Sequence, residues 1–137
     1  MSPEGTLVDE KGRYASMSEV EQHLDKAIVA HGQWKMRLKR AIDTGSSEFV
    51  PTTVSRDDQC ELGKWLHTSA TAQEKSSPHY RQTVQAHKQF HTVAGGVLAN
   101  ALAGKKNEAL ASMAPGGDFA RASVAVTQAL QTWKRSV

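Results

Sequence analysis

From residue 18 onward the apolar residues of this chain recur at steps of three and four, and nowhere do they keep up a two-residue alternation. A period near 3.6 gathers apolar side chains on one face of a helix, whereas a half-buried strand requires a period of two. Helix formers also dominate every periodic segment. The chain is therefore predicted to be all-α: an antiparallel four-helix bundle with an extra short helix.

The first helix is predicted to begin at Ser18, with Glu21 completing a capping box, and to carry Val20, Leu24, Ala27, Ile28, Trp34, Leu38, Ala41 and Ile42 as its stripe. It should stop at Asp43-Thr44-Gly45, where a glycine precedes a polar loop over residues 43–56. A shorter helix is expected to start within Ser55–Asp58, with Cys60 in its first turn and Leu62, Trp65 and Leu66 on one side, and to break up at Thr68-Ser69. Ser76-Ser77-Pro78 announces a third helix that reaches about Gly104. A weaker segment, Lys105 to Met113, leads to the breaker Ala114-Pro115-Gly116-Gly117. Asp118 should cap a last helix whose stripe is Phe119, Ala122, Val126, Leu130 and Trp133. Residues 1–16 mix Gly, Pro, Ser and charge without periodicity and read as a flexible N-terminal arm, leaving 17–137 as the folded bundle.

At 137 residues the chain can bury one core but not two ordinary ones. No stretch approaches the roughly 18 consecutive apolar residues of a membrane span, and the polar N-terminus lacks a secretory h-region. A cytoplasmic protein without membrane insertion is expected. The net charge of +3, from 17 basic and 14 acidic residues, is spread along the chain with no basic-aromatic interleaving, so no nucleic-acid partner is expected.

The six histidines and the single cysteine are more informative. At about 100° of rotation per residue, His31 falls at the centre of the first stripe, and His87 and His91 fall on the buried line between Val84 and Ala94. Four residues apart, His87 and His91 project from one helical face one turn apart, as two imidazoles must to reach a common ion. One thiol forms no internal disulfide, and Cys60 at a helix start, where N–H groups and the dipole favour the thiolate, is the natural fourth donor. A lone inward histidine is more often a hydrogen-bonded core residue than a ligand, and spacing leaves both readings open. His23 and His79 should be solvated. His67 shares the helical face of Cys60, but seven residues place it about 10.5 Å along the axis, too far for one ion. Trp34, Trp65, Phe90 and Trp133 read as core. Gly95-Gly96 inside a helix suggests a close helix–helix approach, within the chain or between subunits.

His31-x-x-Trp34-Lys35-x-x-Leu38, Cys60-x-Leu62-Gly63-Lys64-Trp65-Leu66 and His87-x-x-Phe90-His91, taken in order, resemble the bacterial chemoreceptor zinc-binding domain, CZB, over about residues 20 to 135. The resemblance implies a four-helix bundle, usually a homodimer, with one zinc per chain on His31, Cys60, His87 and His91, the set that the helical faces select. It also implies control of a signalling partner, a chemotaxis receptor or a diguanylate cyclase, in response to zinc availability or to oxidants that attack Cys60 as a redox switch. Such domains are commonly fused to their output, and a chain of this length beginning at Met1 has no room for one. The output should then lie in a partner protein, or in a longer chain of which this is a piece.

Three functions compete. A sensor would couple zinc loss or Cys60 oxidation to a change in helix packing. A structural zinc site would only hold a small helical interaction domain together. An enzyme would need an open coordination position beside a general base, which four protein donors do not leave, and neither His87 nor His91 has a Glu three residues before it as diiron bundles require. No catalysis is expected.

Overall fold

A computed structural model describes residues 13–137, together with the side chains from residue 19 onward apart from residue 69. Its helices are α1 (Arg13–Gly32), α2 (Trp34–Thr44), α3 (Pro51–Val54), α4 (Glu61–Lys64), α5 (Ala72–Lys75), α6 (Pro78–Leu102), α7 (Lys106–Met113) and α8 (Asp118–Ser136), with a π-helical turn over Trp65–Ser69. Among the described residues there is no strand. The chain is an all-α bundle, as its periodicity implies.

The core forms where the stripes meet. Leu24 and Ala27 of α1, Leu38, Ala41 and Ile42 of α2, Phe90, Ala94, Val97 and Leu98 of α6, and the whole predicted stripe of α8 are buried together. Burying each of the larger side chains contributes about 1.5–3 kcal/mol. Helix α8 packs along both α6 and α1. It runs antiparallel to α6, since Tyr80 meets Trp133 and Phe90 meets Phe119.

Several boundaries differ from expectation. Helix α1 already includes residues 13–17, so Ser18 lies inside it and does not cap it; once a helix is nucleated, adding good formers such as Ala15 and Met17 is easy. Residues 1–12 of the expected arm lie outside the described residues. The first leg is also interrupted: the N–H of Gln33 is shared between the Val29 and Ala30 carbonyls at 3.3 Å each, and Trp34 begins a new helix. Gly32, the poorest helix former in this leg, sits at the break. Gly45 ends α2 with φ of +73°, the left-handed turn expected of a glycine there.

Between α2 and α6 the expected loop and single short helix give way to four short pieces. Pro51 starts α3 within the predicted loop. Helix α4 begins after Cys60, not at Ser55–Asp58, and the π-helical turn follows it, closed by Ala70 N–H on the Trp65 carbonyl at 2.9 Å. Thr71 and Glu74 form a capping box for α5, which the periodicity does not reveal. Helix α6 starts at Pro78 with Ser77 as its cap, as predicted, while α8 is entered from Gly117, with Asp118 inside its first turn. Gly95 accommodates α3: a Cβ there would strike Ser55 Oγ and approach the Pro51 carbonyl to 2.9 Å. The close approach expected of Gly95 is thus intramolecular, and Gly96 faces open space.

Candidate metal centre

His31 closes α1, Cys60 precedes α4, and His87 and His91 lie one turn apart on α6. Their donor atoms converge. His31 Nε2 is 3.2 Å from His91 Nε2, and Cys60 Sγ is 3.2 Å from His87 Nε2, 3.6 Å from His91 Nε2 and 3.8 Å from His31 Nε2. One donor atom from each residue lies within 4.8 Å of all the others, an arrangement that can hold one metal ion. A tetrahedral zinc with Zn–N of about 2.0 Å and Zn–S of about 2.3 Å has donor–donor edges of about 3.3–3.6 Å. The four side chains fit that ion.

Main-chain carbonyls orient two of the rings. His31 Nδ1 donates to the Ala27 carbonyl at 2.7 Å and His91 Nδ1 to the Val54 carbonyl at 2.9 Å. With the proton on Nδ1, each Nε2 presents a lone pair, so at 3.2 Å two acceptors face each other. Such a pair is suited to a shared cation. A proton does not serve near neutrality: burial, with the neighbouring His91, pushes His31 down to about 4 against the pull of its Ala27 bond, and burial, with the neighbouring histidines, pushes His87 down to about 2. Burial also lowers His91, opposed by its bond to Val54. All three rings are thus neutral ligands in waiting.

Cys60 departs from its sequence reading. It is the N-cap of α4, not a residue of its first turn, and its sulfur accepts the Gly63 N–H at 3.4 Å. Burial raises its thiol above the ordinary range despite this N–H and that of Leu62, with the Asp57 charge adding to the rise. Desolvation therefore outweighs a helix start only four residues long, and a metal ion is what would make this sulfur a thiolate. Gly63 is required where it stands: a Cβ would collide with the Asp57 carbonyl.

A cleft leads to the centre. About 710 Å³ in volume and walled by Ala27, Ala30, Trp34, Phe49 and Val54, it opens onto His31, Cys60 and His91. Trp34 and Phe49 meet edge to face with centroids 5.0 Å apart, and the Arg37 guanidinium lies over both rings. His87 is fully buried on the far side.

The other histidines stay outside. His67 is exposed and pairs with Asp57 at 3.2 Å. His23 is exposed and stacks on Trp65 with centroids 4.9 Å apart. His79, expected to be solvated, is half-buried and its Nδ1 is shut off from solvent, because the ring lies on the inward side of the first turn of α6. Trp65, Phe90 and Trp133 are buried in the core and Trp34 packs against it, as read. Sequence reasoning missed the Ala27 and Val54 carbonyls, since any residue carries a carbonyl. It also missed Thr83, a fully buried hydroxyl one turn before His87, which a polar residue on an apolar stripe could have signalled.

No curated protein and no solved structure gives a significant match to the chain. The family model of the chemoreceptor zinc-binding domain matches residues 31–98, a narrower stretch than the motifs alone suggested, and it encloses all four donors. That family is regulatory and zinc-binding, not catalytic, and zinc is the metal that suits one thiol and three imidazoles. Over residues 31–98, then, the chain carries a chemoreceptor zinc-binding domain and belongs to that family.

Proposed function

We propose that His31, Cys60, His87 and His91 bind one zinc ion per chain, and that the protein is a cytoplasmic sensory module controlling a bacterial signalling partner, a chemotaxis receptor or a diguanylate cyclase. Its signal is zinc availability or oxidation of the Cys60 thiol. The observation that carries this reading is the pair of unprotonated Nε2 atoms 3.2 Å apart beside a sulfur that also caps α4. Zinc held by these four residues would link α1, α6 and the start of α4 and would keep the sulfur as thiolate.

Three roles then meet at one sulfur: metal ligand, helix cap and oxidisable group. With hypochlorous acid, the Cys60 thiolate forms an S–O bond as the O–Cl bond breaks, giving a sulfenic acid and chloride. The product is a weaker donor to zinc and a weaker acceptor for Gly63 N–H. Helix α4 and the π-helical turn, anchored by Leu62, Trp65 and Leu66, would be the first to loosen. Four protein donors leave no open position for a substrate, so the module is not an enzyme. Val29 and Met36, seven residues apart and both exposed, support a homodimer through the α1–α2 leg. A monomeric mass in solution at tens of micromolar would count against it.

The test treats zinc-loaded protein with hypochlorous acid, following zinc release with a colorimetric chelator and hydrogen exchange across residues 58–68. Release should accompany faster exchange in that segment, and Cys60→Ser should abolish the response while keeping some zinc. Equal release from the variant would remove the thiol from the mechanism and leave simple zinc sensing. The anchoring of His31 and His91 to main-chain carbonyls favours a second reading, a structural site. Chelation separates the two: a sensor gives up zinc and stays folded, whereas a structural site unfolds.

A further inference from the structure

Among the described residues, three buried side-chain polar atoms lack a hydrogen-bond partner: His79 Nδ1, Thr83 Oγ1 and His87 Nδ1. They are not scattered. Spaced four residues apart on α6, they form a single line along one helix face, with successive members about 6 Å apart along the axis. The line ends at the metal centre, and Thr83 and His87 are fully buried.

The three imidazoles of the centre are unequal in this respect. His31 and His91 each donate Nδ1–H to a main-chain carbonyl, whereas His87 has no such acceptor. An imidazole that binds a metal through Nε2 carries its proton on Nδ1, and metal-bound histidines nearly always donate that proton to an oxygen. Within α6 the carbonyls are engaged in the helix itself. The unused oxygen nearest in register is the Thr83 hydroxyl, one turn back on the same face.

We propose that Thr83 is the positioning residue for His87: its hydroxyl accepts the Nδ1–H of the metal-binding tautomer, directly or across one water, and so holds Nε2 toward Cys60. The hydroxyl's own proton has an acceptor one further turn back, in His79 Nδ1. One directional relay, from His87 through Thr83 to His79, thereby satisfies all three atoms. The relay reaches the half-buried first turn of α6, where His79 borders solvent. The inference rests on the reading that His87 binds zinc.

The experiment measures zinc affinity by chelator competition for the parent, Thr83→Val, Thr83→Ala, Thr83→Ser and His87→Ala, and thermal melting of each in excess chelator. Removing an outer hydrogen-bond partner of a metal ligand typically weakens binding about 10–100-fold. Thr83→Val and Thr83→Ala should fall in that range, while Thr83→Ser binds as the parent does. Zinc-free Thr83→Val should melt no lower than the parent, because without the metal His87 is not held in the tautomer that the hydroxyl serves, and the hydroxyl is left unpaired. Parent-like affinity in Val and Ala overturns the proposal, as does equal weakening in all three, which would mean that Thr83 matters only through its packing. Should Thr83→Val fail to fold, the Ala–Ser pair decides. If His87→Ala itself retains zinc, the failure belongs to the zinc reading and not to Thr83.

Discussion

Along α8 five apolar side chains, Phe119, Ala122, Val126, Leu130 and Trp133, are buried at regular helical steps, and α6 meets them with Tyr80 against Trp133 and Phe90 against Phe119. Between Pro51 and Ser77 the chain is held differently. No α-helix there exceeds four residues, and order comes from the Cys60 cap, the Thr71–Glu74 capping box, the five-residue π-helical turn, Gly63 against the Asp57 backbone and Gly95 of α6 against the Pro51 carbonyl. A long helix contributes many equivalent contacts, so losing one alters stability but not position. In the segment each device is single, so losing one moves the chain. The bundle presents three histidines on two long helices, and the segment delivers the fourth donor, which is what a centre able to let go of one ligand requires.

Four changes sharpen the contrast, in order of expected size. Leu130→Ala, at a fully buried site in α8, should cost about 2–5 kcal/mol of stability and leave the zinc affinity of the folded protein unchanged. A drop in affinity would mean that the bundle and the centre are not separable. Gly63→Ala forces a Cβ against the Asp57 carbonyl and should cost about 1–3 kcal/mol, and here affinity should fall as well, since Cys60 is displaced along with the loop. If this variant kept full affinity, the segment would be more pliable than its packing implies. Thr71→Ala removes the α5 cap and should cost about 1 kcal/mol, read as faster hydrogen exchange confined to residues 70–77. Asp25→Asn breaks the exposed 2.7 Å pair with Lys134 between α1 and α8, a change too small to resolve in a thermal melt.

The same contrast explains what could be read from the sequence. The buried stripe of α8 was predicted residue for residue, and α6 was placed from Pro78 because long amphipathic helices repeat their signal every turn. The same rotation rule selects the three inward histidines, the lone thiol at a helix start adds Cys60, and the structure brings all four together. Helices α3 and α5 and the π-helical turn span little more than one period of that signal, too few residues for it to repeat. The Thr71–Glu74 capping box of α5 is a recognisable pattern, but the sulfur of Cys60 acting as the N-cap of α4 has no frequent sequence counterpart. The break at Gln33 leaves no mark in the sequence pattern, since the stripe continues across it and only the hydrogen bonding changes. The thiol was expected to be acidified by its helix start, and the opposite sign follows from burial, which a sequence does not reveal.

The most direct test of the central claim is the zinc content of protein purified without added zinc, measured by elemental analysis alongside single alanine variants of all six histidines and Cys60. The account predicts one zinc per chain in the parent. It predicts much lower retention after substitution of His31, Cys60, His87 or His91, and parent-like retention after substitution of His23, His67 or His79. No zinc in the parent, or equal losses across all seven variants, would contradict it.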